Sequence, residues 1–451
     1  MLSNPLTPVA RFLSWLEIDH AVAYSILEKL WKLVAGITTI FLISIYISPE
    51  IQGYYFTFMS ILALQALLEL GFSVVVVPFA SHEWINLSWD GKGPITGEKK
   101  SLSRLISLGR LLFKWYLIGG TLFVLTVFSI GYWFFSQDHN LEVVWQGPWF
   151  FAVLMTGFQF LVIPFYAMLE GCHQIKNSYL FQLLKTFFSP LLLWLVMILG
   201  GDLWMIVAML TTRLILDLVL IFGRCRNFFW TFIQTTPTTH IHWKSEIWPM
   251  QWKISLGAIA GYFMFSIYTP IMFHYHGAAT AGQFGMTWQM VEILSALVSA
   301  WILPKVPRYS ALIAQKKYVE LDRHFFRNST IAVSMAFLGA IAGGVFIYGL
   351  NVFEFQLAER LLSPLPTFLL LAAVTLIQIP NCISNYLYSH KQNPLVWLHV
   401  GFGFLNGLLV WLLGSNFGPL GASASYLATV ALVLLPGEII IFNKCRREWH
   451  L

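Results

Sequence analysis

Two opposite charges stand one helical turn apart in an otherwise apolar stretch of the chain. Arg213 and Asp217 are four residues apart within the stretch 203–223 and would share one face of a helix. The guanidinium of arginine carries a fork of donors that matches the oxygens of a phosphate, and a neighbouring carboxylate would hold that fork in place. The pattern therefore predicts an anion-binding role for Arg213. The alternative is a structural ion pair that locks two helices together.

Four lysines within other apolar stretches would extend such an anion-binding surface. Lys185 lies about two turns inside an apolar stretch, and Lys29 and Lys32 lie near the start of the first one. Glu28 precedes Lys32 by four residues, so an ion pair within the helix is expected. Lys253 takes the position in the second half of the chain that Lys32 takes in the first. The alternative for the first three lysines is that their long stems carry the ammonium groups to the cytoplasmic headgroups.

Two acidic residues have no obvious partner in the sequence. Glu69 lies inside the second apolar stretch, and Glu292 lies near the middle of the eighth. Gln289, Ser295 and Ser299 share a helical face with Glu292, which a lipid-facing helix would not carry. A carboxyl group whose charge is disfavoured by burial is suited to carry a proton through a transport cycle. We predict that these acids line one cavity together with Lys32, Lys185, Arg213 and Lys253. The alternative role of each acid is to neutralise a base of that cavity.

Only a membrane protein accounts for the elements that would position these charges. The mean hydropathy is +0.70, and 57% of the 451 residues are hydrophobic. Charged residues make up 11%, against about 25% in a soluble domain. We therefore predict an all-α polytopic membrane protein of about twelve transmembrane helices. The spans are predicted at 24–47, 54–79, 105–135, 147–170, 178–200, 203–223, 249–274, 283–304, 327–350, 366–389, 394–414 and 418–442.

The distribution of basic residues determines the predicted orientation. Of the 27 Lys and Arg residues, only Arg360 falls in the loops that follow the odd-numbered spans. Basic residues stay on the cytoplasmic side during insertion, so both termini are predicted to be cytoplasmic. The same bias explains the net charge of +6, and no nucleic-acid partner is expected. Residues 1–20 lack the features of a cleaved signal peptide, so the first span is expected to act as an uncleaved signal.

The longest linker between predicted spans divides the chain into two halves of six spans. This linker, 224–248, follows an N-terminal lobe of residues 1–223 and precedes a C-terminal lobe of residues 249–451. Six spans return the chain to the side on which it started. The two lobes are therefore predicted to be pseudo-symmetric about an axis along the membrane normal.

Two short echoes between the halves support that division. Leu30-Trp31-Lys32 in the first half matches Gln251-Trp252-Lys253 in the second. After the first span, Gly53-Tyr54-Tyr55-Phe56 has a looser counterpart in Gly282-Gln283-Phe284-Gly285. Because the echoes fall at corresponding positions, they favour two related six-helix lobes.

Cysteine and histidine indicate no further chemistry. The four cysteines include no CxxC pair, and none lies where an oxidising compartment would pair it. His274 and His276 flank a predicted outer loop without carboxylate or cysteine companions, so no metal site is expected there. No cofactor is predicted.

Several motifs resemble those of polysaccharide exporters. They are Ser48-Pro-Glu-Ile-Gln-Gly-Tyr-Tyr55, Leu70-Gly71-Phe72 with a span that ends at Pro78, Gly261-Tyr-Phe-Met264, Ala281-Gly-Gln-Phe-Gly285 and Pro304-Lys-Val-Pro-Arg-Tyr309. With the span number and the two halves, the whole chain is similar to the O-antigen and teichoic-acid flippases of the multidrug/oligosaccharidyl-lipid/polysaccharide exporter superfamily. The resemblance implies two lobes around a central cavity that opens alternately to each side. It also implies that cavity cations attract an undecaprenyl-pyrophosphate-linked oligosaccharide, with an ion gradient as the driving force.

Three functions follow from these expectations. The first is a flippase in the inner membrane of a bacterium, with a polysaccharide polymerase and glycosyltransferases as partners. The second is an ion-coupled multidrug exporter of the same superfamily, which would favour acids and aromatic residues over bases. The third is a membrane enzyme, namely a polysaccharide polymerase or a lipid-dependent glycosyltransferase. The longest outer loop, 351–365, carries one Arg and two Glu without a paired-acid motif, which argues against the enzyme.

Overall fold

Long apolar helices make up most of the chain, because a backbone that crosses lipid has to form its hydrogen bonds within the segment. The structure is a computed structural model, and it describes residues 20–138 and 143–450. Within those residues, ten helices are long and apolar enough to cross a membrane, or eleven if the bent pair Trp243–Phe265 and Tyr268–His276 forms one span. The predicted all-α, polytopic fold class is confirmed.

The helices that the structure describes are numbered here in chain order. They are α1 His20–Tyr46, α2 Pro49–Leu62, α3 Gln65–Glu69, α4 Phe72–Trp84, α5 Lys99–Phe135, α6 Gln146–Gly171, α7 Ile175–Ile198, α8 Trp204–Leu218, α9 Arg226–Gln234, α10 Trp248–Phe265, α11 Tyr268–His276, α12 Ala278–Ile302, α13 Val306–Ala314, α14 Tyr318–Val352, α15 Gln356–Glu359, α16 Pro364–Ser389, α17 Val396–Thr429 and α18 Leu435–Trp449. Short π-helical turns at Val219–Arg224, Trp243–Ile247 and Val430–Leu434 and a 3-10 turn at Leu303–Lys305 extend some of them. Two two-residue strands, β1 Leu87–Ser88 and β2 Thr96–Gly97, pair antiparallel.

The helices form two compact units. The first unit comprises the described residues up to Leu42, Gly71–Ser129 and Gln146–Trp252, and the second comprises those of Ile43–Leu70, Ile130–Trp145 and Lys253–Leu451. In the first unit, α7 packs along α8, and α6 packs on both α4 and α8. In the second unit, α12 packs along α2, α14 along α16, and α17 on both α11 and α16. The predicted division into lobes of residues 1–223 and 249–451 stays a prediction.

The second predicted span, 54–79, is not a continuous helix. The helix begins earlier, at Pro49, where the Ser48 hydroxyl accepts a hydrogen bond from the amide of Ile51 at 3.2 Å and caps the first turn. It is then broken at Leu70 and Gly71, whose φ angles of 53° and 60° are left-handed. Two left-handed residues in succession end one helix and start another. The prediction of a single span was therefore wrong here, and Glu69 lies at the break.

A second break separates the last two predicted spans. The stretch Val396–Trp449 has 54 residues, and at about 1.5 Å per residue that is more than twice the roughly 30 Å of a hydrocarbon core. Gly418 interrupts it with φ 63° and ψ −145°. A Cβ at Gly421 would lie 2.1 Å from the carbonyl oxygen of Leu413, so the chain folds back on itself closely there. Two passes thus replace one long helix, in agreement with the predicted spans 394–414 and 418–442.

The contact between α2 and α12 brings the two related glycine motifs together. A Cβ at Gly53 would lie 1.9 Å from the carbonyl oxygen of Ala278, and a Cβ at Gly282 would lie 2.9 Å from the amide nitrogen of Gly53. Such proximity is possible only without side chains. The buried Gln52 side chain reinforces the contact, because its Nε2 donates to the carbonyl oxygens of Gly282 at 2.8 Å and Arg360 at 3.0 Å.

We predict that Gly53→Ala destabilises the protein by about 1–3 kcal/mol or more, because the new methyl group meets backbone that cannot rotate away. The measurement is the free energy of unfolding of detergent-solubilised protein in an SDS titration. Gly401→Ala in α17 is the matched control, since a Cβ there meets no atom within 4 Å. Equal stability of the two variants would contradict the close contact.

Candidate functional site

A buried ion pair joins α7 to α8 in the first unit. The Nζ of Lys185 lies 2.7 Å from Oδ1 of Asp217, and the two side chains are 20% and 5% exposed. Both residues were among the predicted site residues. Removal of two charges from water is costly, so such a pair persists only when further hydrogen bonds support it.

Tyr166 of α6 supplies that support. Its hydroxyl donates to Oδ1 of Asp217 at 2.6 Å, and its ring lies under the Lys185 ammonium, with Nζ 4.1 Å from the ring centroid. One tyrosine therefore holds both the carboxylate and the cation. Sequence reasoning missed Tyr166, because an uncharged aromatic residue in a span carries no signal of its own.

The structure gives Asp217 a partner that the sequence did not predict. The sequence assigned it to Arg213, one turn earlier on the same helix, whereas its ion pair is with Lys185 of the neighbouring helix. Arg213 is half-buried and donates through Nε to the Ser189 hydroxyl at 3.3 Å. Ser189 in turn donates to the backbone carbonyl of Lys185. Lys185 and Arg213 are thus linked through one serine, and they interact electrostatically.

A second acid from α1 belongs to the same group of charges. Oε1 of Glu28 accepts a hydrogen bond from the Thr186 hydroxyl at 3.4 Å, and Glu28 interacts electrostatically with Lys185. Two bases and two acids therefore meet, and their formal charges cancel. Lys29 and Lys32 are exposed on α1. Among the described residues, no ion pair joins Glu28 to Lys32, so that expected pair was wrong.

The remaining predicted site residues lie in the second unit. Lys253 is exposed on α10 and Glu69 is half-buried at the end of α3. Glu292 is exposed on α12, and its Oε1 accepts a hydrogen bond from the indole of Trp288 at 3.0 Å. The ring of Trp288 stacks on Tyr268 at 4.9 Å between centroids. That these residues share one cavity with Lys185 and Arg213 stays a prediction.

The second unit also contains a polar cavity that the sequence did not predict. Glu438 of α18 is 1% exposed, and its Oε1 lies 2.7 Å from Nε2 of His399 on α17. The Ser384 hydroxyl donates to the same carboxylate at 3.3 Å. His399 and Ser384 line a cavity of about 330 Å³, together with Ser299, Ile302, Leu303, Asn381, Asn385 and Tyr388. Glu438 lies within the predicted span 418–442, but its pairing with His399 depends on helix packing that the sequence does not show.

The structure gives no support to a metal centre. Within residues 20–138 and 143–450, no group of three or more His, Cys, Asp or Glu could hold a metal ion. His276 is engaged with the carbonyl oxygen of Gly414 at 2.7 Å, and the ring of His274 packs against Phe134.

Three solved structures share this fold. The inward closed conformation of the lipid II flippase MurJ is 12% identical with a TM-score of 0.64, and the match covers 95% of this chain and 90% of that chain. The MATE transporter VcmN of Vibrio cholerae is 10% identical with a TM-score of 0.57 and coverages of 95% and 97%. An inward-facing multidrug resistance MATE family transporter of the MOP superfamily is 12% identical with a TM-score of 0.54 and coverages of 93% and 96%.

Sequence comparison adds nothing to these matches. No protein-family model matches the chain, and no curated protein matches it in sequence. The chain therefore shares the fold of these three structures.

We predict that Lys185→Met lowers the free energy of unfolding by about 3–5 kcal/mol, because Asp217 would keep a buried charge without its partner. Combination with Asp217→Asn is expected to restore most of this loss, since Tyr166 can still donate to the amide oxygen. An SDS titration of each variant measures both effects. Lys176→Met, which changes an exposed lysine of the same helix, serves as the control. Independent, additive effects of the two substitutions would contradict the ion pair.

Proposed function

We propose that this protein moves a lipid-linked anionic oligosaccharide across a bacterial inner membrane by alternating access, without covalent chemistry. The substrate would be an undecaprenyl-pyrophosphate-linked glycan for O-antigen or another surface polysaccharide. The observation that carries the proposal is the pair of half-buried bases, Lys185 and Arg213, on adjacent helices of the first unit. A charge inside a membrane span costs free energy, so such a charge commonly marks a functional site.

Lys185 is held in a position where a phosphate could bind in place of the Asp217 carboxylate. Its ammonium is bound by Asp217 and its side chain is 20% exposed, so a phosphate oxygen can compete with the carboxylate for the same donor. Ser189 fixes the position of Nε of the Arg213 guanidinium, and phosphates accept from that group in a fork. A pyrophosphate would thus replace Asp217 as the partner of Lys185 and would bind Arg213 beside it.

The fold alone does not select the substrate. The solved structures that share it include a lipid II flippase and multidrug transporters. A flippase for a pyrophosphate lipid needs bases within the membrane, and the first unit supplies them. Those fold relatives are transporters, which also favours transport over a polymerase or glycosyltransferase activity.

A second candidate is an ion-coupled exporter of cationic compounds. The observation that favours it is the exposed Glu292, which accepts from Trp288 beside the stacked ring of Tyr268. A carboxylate next to aromatic faces would bind a cation. In this case Glu292→Gln would abolish the efflux of a cationic dye from cells, while Arg213→Ala would leave the efflux intact.

We propose further that the protein is a multi-pass inner-membrane protein with both termini in the cytoplasm. This orientation follows from the basic residues, which avoid the outer loops apart from Arg360. The lipid-linked oligosaccharide would be supplied by glycosyltransferases on the cytoplasmic side and used by a polymerase on the other.

We predict that Arg213→Ala and Lys185→Ala each reduce translocation at least tenfold, because each removes a charged hydrogen bond worth about 1.5–3 kcal/mol. The assay uses proteoliposomes with an undecaprenyl-pyrophosphate-linked oligosaccharide and follows the exposure of its sugars to an external glycosidase. Variants are compared at equal amounts of folded protein. Lys176→Ala on the same helix as Lys185 is the control and should behave as wild type. Normal translocation in both variants would reject the flippase.

We predict that Asp217→Asn strengthens the binding of a prenyl pyrophosphate. Loss of the carboxylate frees the ammonium of Lys185, so the affinity for a short prenyl pyrophosphate should rise about tenfold, equivalent to 1.4 kcal/mol. Isothermal titration calorimetry with farnesyl pyrophosphate measures it in detergent. Asp90→Asn removes an exposed acid from a loop of the same unit and should leave the affinity unchanged. Weaker binding by Asp217→Asn would show that the carboxylate positions Lys185 and does not compete with the phosphate.

A further inference from the structure

Hydrogen bonds join the C-terminal end of α18 to α14 and α16 in the second unit. Nε and Nη2 of Arg446 on α18 donate to Oδ2 of Asp322 on α14 at 2.9 and 2.5 Å. The Tyr386 hydroxyl on α16 donates to Oδ1 of the same carboxylate at 2.7 Å. One aspartate thus binds groups from both neighbouring helices, and its two oxygens are engaged.

Two histidines complete this junction. The ring of His450, directly after α18, stacks on Tyr318 with 4.2 Å between centroids and 12° between planes. Its Nε2 lies 3.3 Å from Nε2 of His390, which follows α16, and 3.3 Å from the Tyr386 hydroxyl. The ring of Trp449 packs on the ring of His390, with 4.8 Å between centroids.

The contacts determine where the protons of the two rings lie. Nδ1 of His390 is 3.1 Å from the backbone carbonyl oxygen of Tyr386, which can only accept, so Nδ1 carries a proton. The hydrogen bond between the two Nε2 atoms needs a single proton, and one nitrogen must offer a lone pair. The Tyr386 hydroxyl gives its proton to Asp322, so it accepts from Nε2 of His450, which must therefore carry a proton. His390 is then the acceptor at Nε2 and, with its single proton on Nδ1, is neutral.

A further proton on His390 has no place in this arrangement. It would set two N–H groups against each other across 3.3 Å, because Nε2 of His450 already carries a proton. The charged groups that act on the rings are Asp322 and Arg446, and the neutral titratable neighbours are Tyr318 and Tyr386. Because Arg446 already neutralises Asp322, no carboxylate is left to balance two imidazolium ions.

We propose that His390 and His450 form a pH-sensitive latch, which holds the end of α18 against α14 and α16 and releases it when the predicted cytoplasmic side is acidified. The released segment belongs to the helix that carries Glu438, so the latch would connect the pH at the helix end to the cavity beside His399. The proposal does not depend on the substrate.

The sign of the pH dependence follows from the folded arrangement. Burial lowers the pKa of both histidines, and the neighbouring His390 and Arg446 lower that of His450 further, against an opposing effect of Asp322. The released rings regain their ordinary pKa of about 6.5. The latched state is therefore fully stable above that value and loses stability as the pH falls below it. The released fraction should rise up to about tenfold per pH unit for each histidine.

Hydrogen–deuterium exchange of the full-length protein in lipid nanodiscs at pH 7.5 and 5.5 tests the latch, with rates corrected for intrinsic exchange. Amides of residues 440–450 in the wild type should exchange at least tenfold faster at pH 5.5, whereas those of the α14 core should not change. His390→Gln keeps an acceptor and removes one of the two titratable rings, so its acid response should be smaller than that of the wild type. His390→Gln combined with His450→Gln should remain latched at both pH values.

His324→Gln is the matched control, because it removes a histidine of α14 that interacts with Glu320 outside the junction. It should retain the acid response of the wild type. Two results would overturn the proposal. One is exchange of residues 440–450 in the wild type that does not depend on pH, and the other is an acid response that persists in His390→Gln combined with His450→Gln.

Discussion

The second unit depends on the absence of two side chains. Gly53 and Gly282 allow the backbones of α2 and α12 to touch, and Gln52 closes the contact by donating to Gly282 and to Arg360. Lipid surrounds such helices with material as apolar as their own side chains, so close packing and interhelical hydrogen bonds have to hold them together. This contact also ties the loop around Arg360 to the helix pair.

Much of the fold could be predicted from the sequence because hydropathy reports directly what lipid requires of a backbone. The clearest departure of the structure from the predicted spans is a local break. Leu70 and Gly71 adopt left-handed conformations within a stretch that reads as continuously apolar, so no hydropathy average could reveal the end of the helix. Gly53 and Gly282, which the sequence matched as counterparts in the two halves, lie in one contact, and that contact was not predicted.

The sequence identified charged residues of the candidate site but not the ion pairs that they form. A charge in an apolar stretch is visible in the sequence, and so Lys185, Arg213 and Asp217 could be identified. Which of them pair depends on how α7 and α8 pack, which spacing along one helix cannot reveal. Tyr166 acts through an uncharged hydroxyl and a ring face, so only the structure reveals its role. Glu438 is a charge within the predicted span 418–442, but its pairing with His399 depends on how α17 and α18 pack.

The burial of all four thiols makes the native chain a convenient background for chemical labelling. Cys172, Cys225, Cys382 and Cys445 are free and buried, and burial raises the pKa of the Cys172 thiol well above its usual range. Because the thiolate is the reactive form, a membrane-impermeant maleimide should leave these positions unmodified. Single cysteines could then be introduced at sites such as Ser189. Their labelling from one side of the membrane or the other would show when water reaches them.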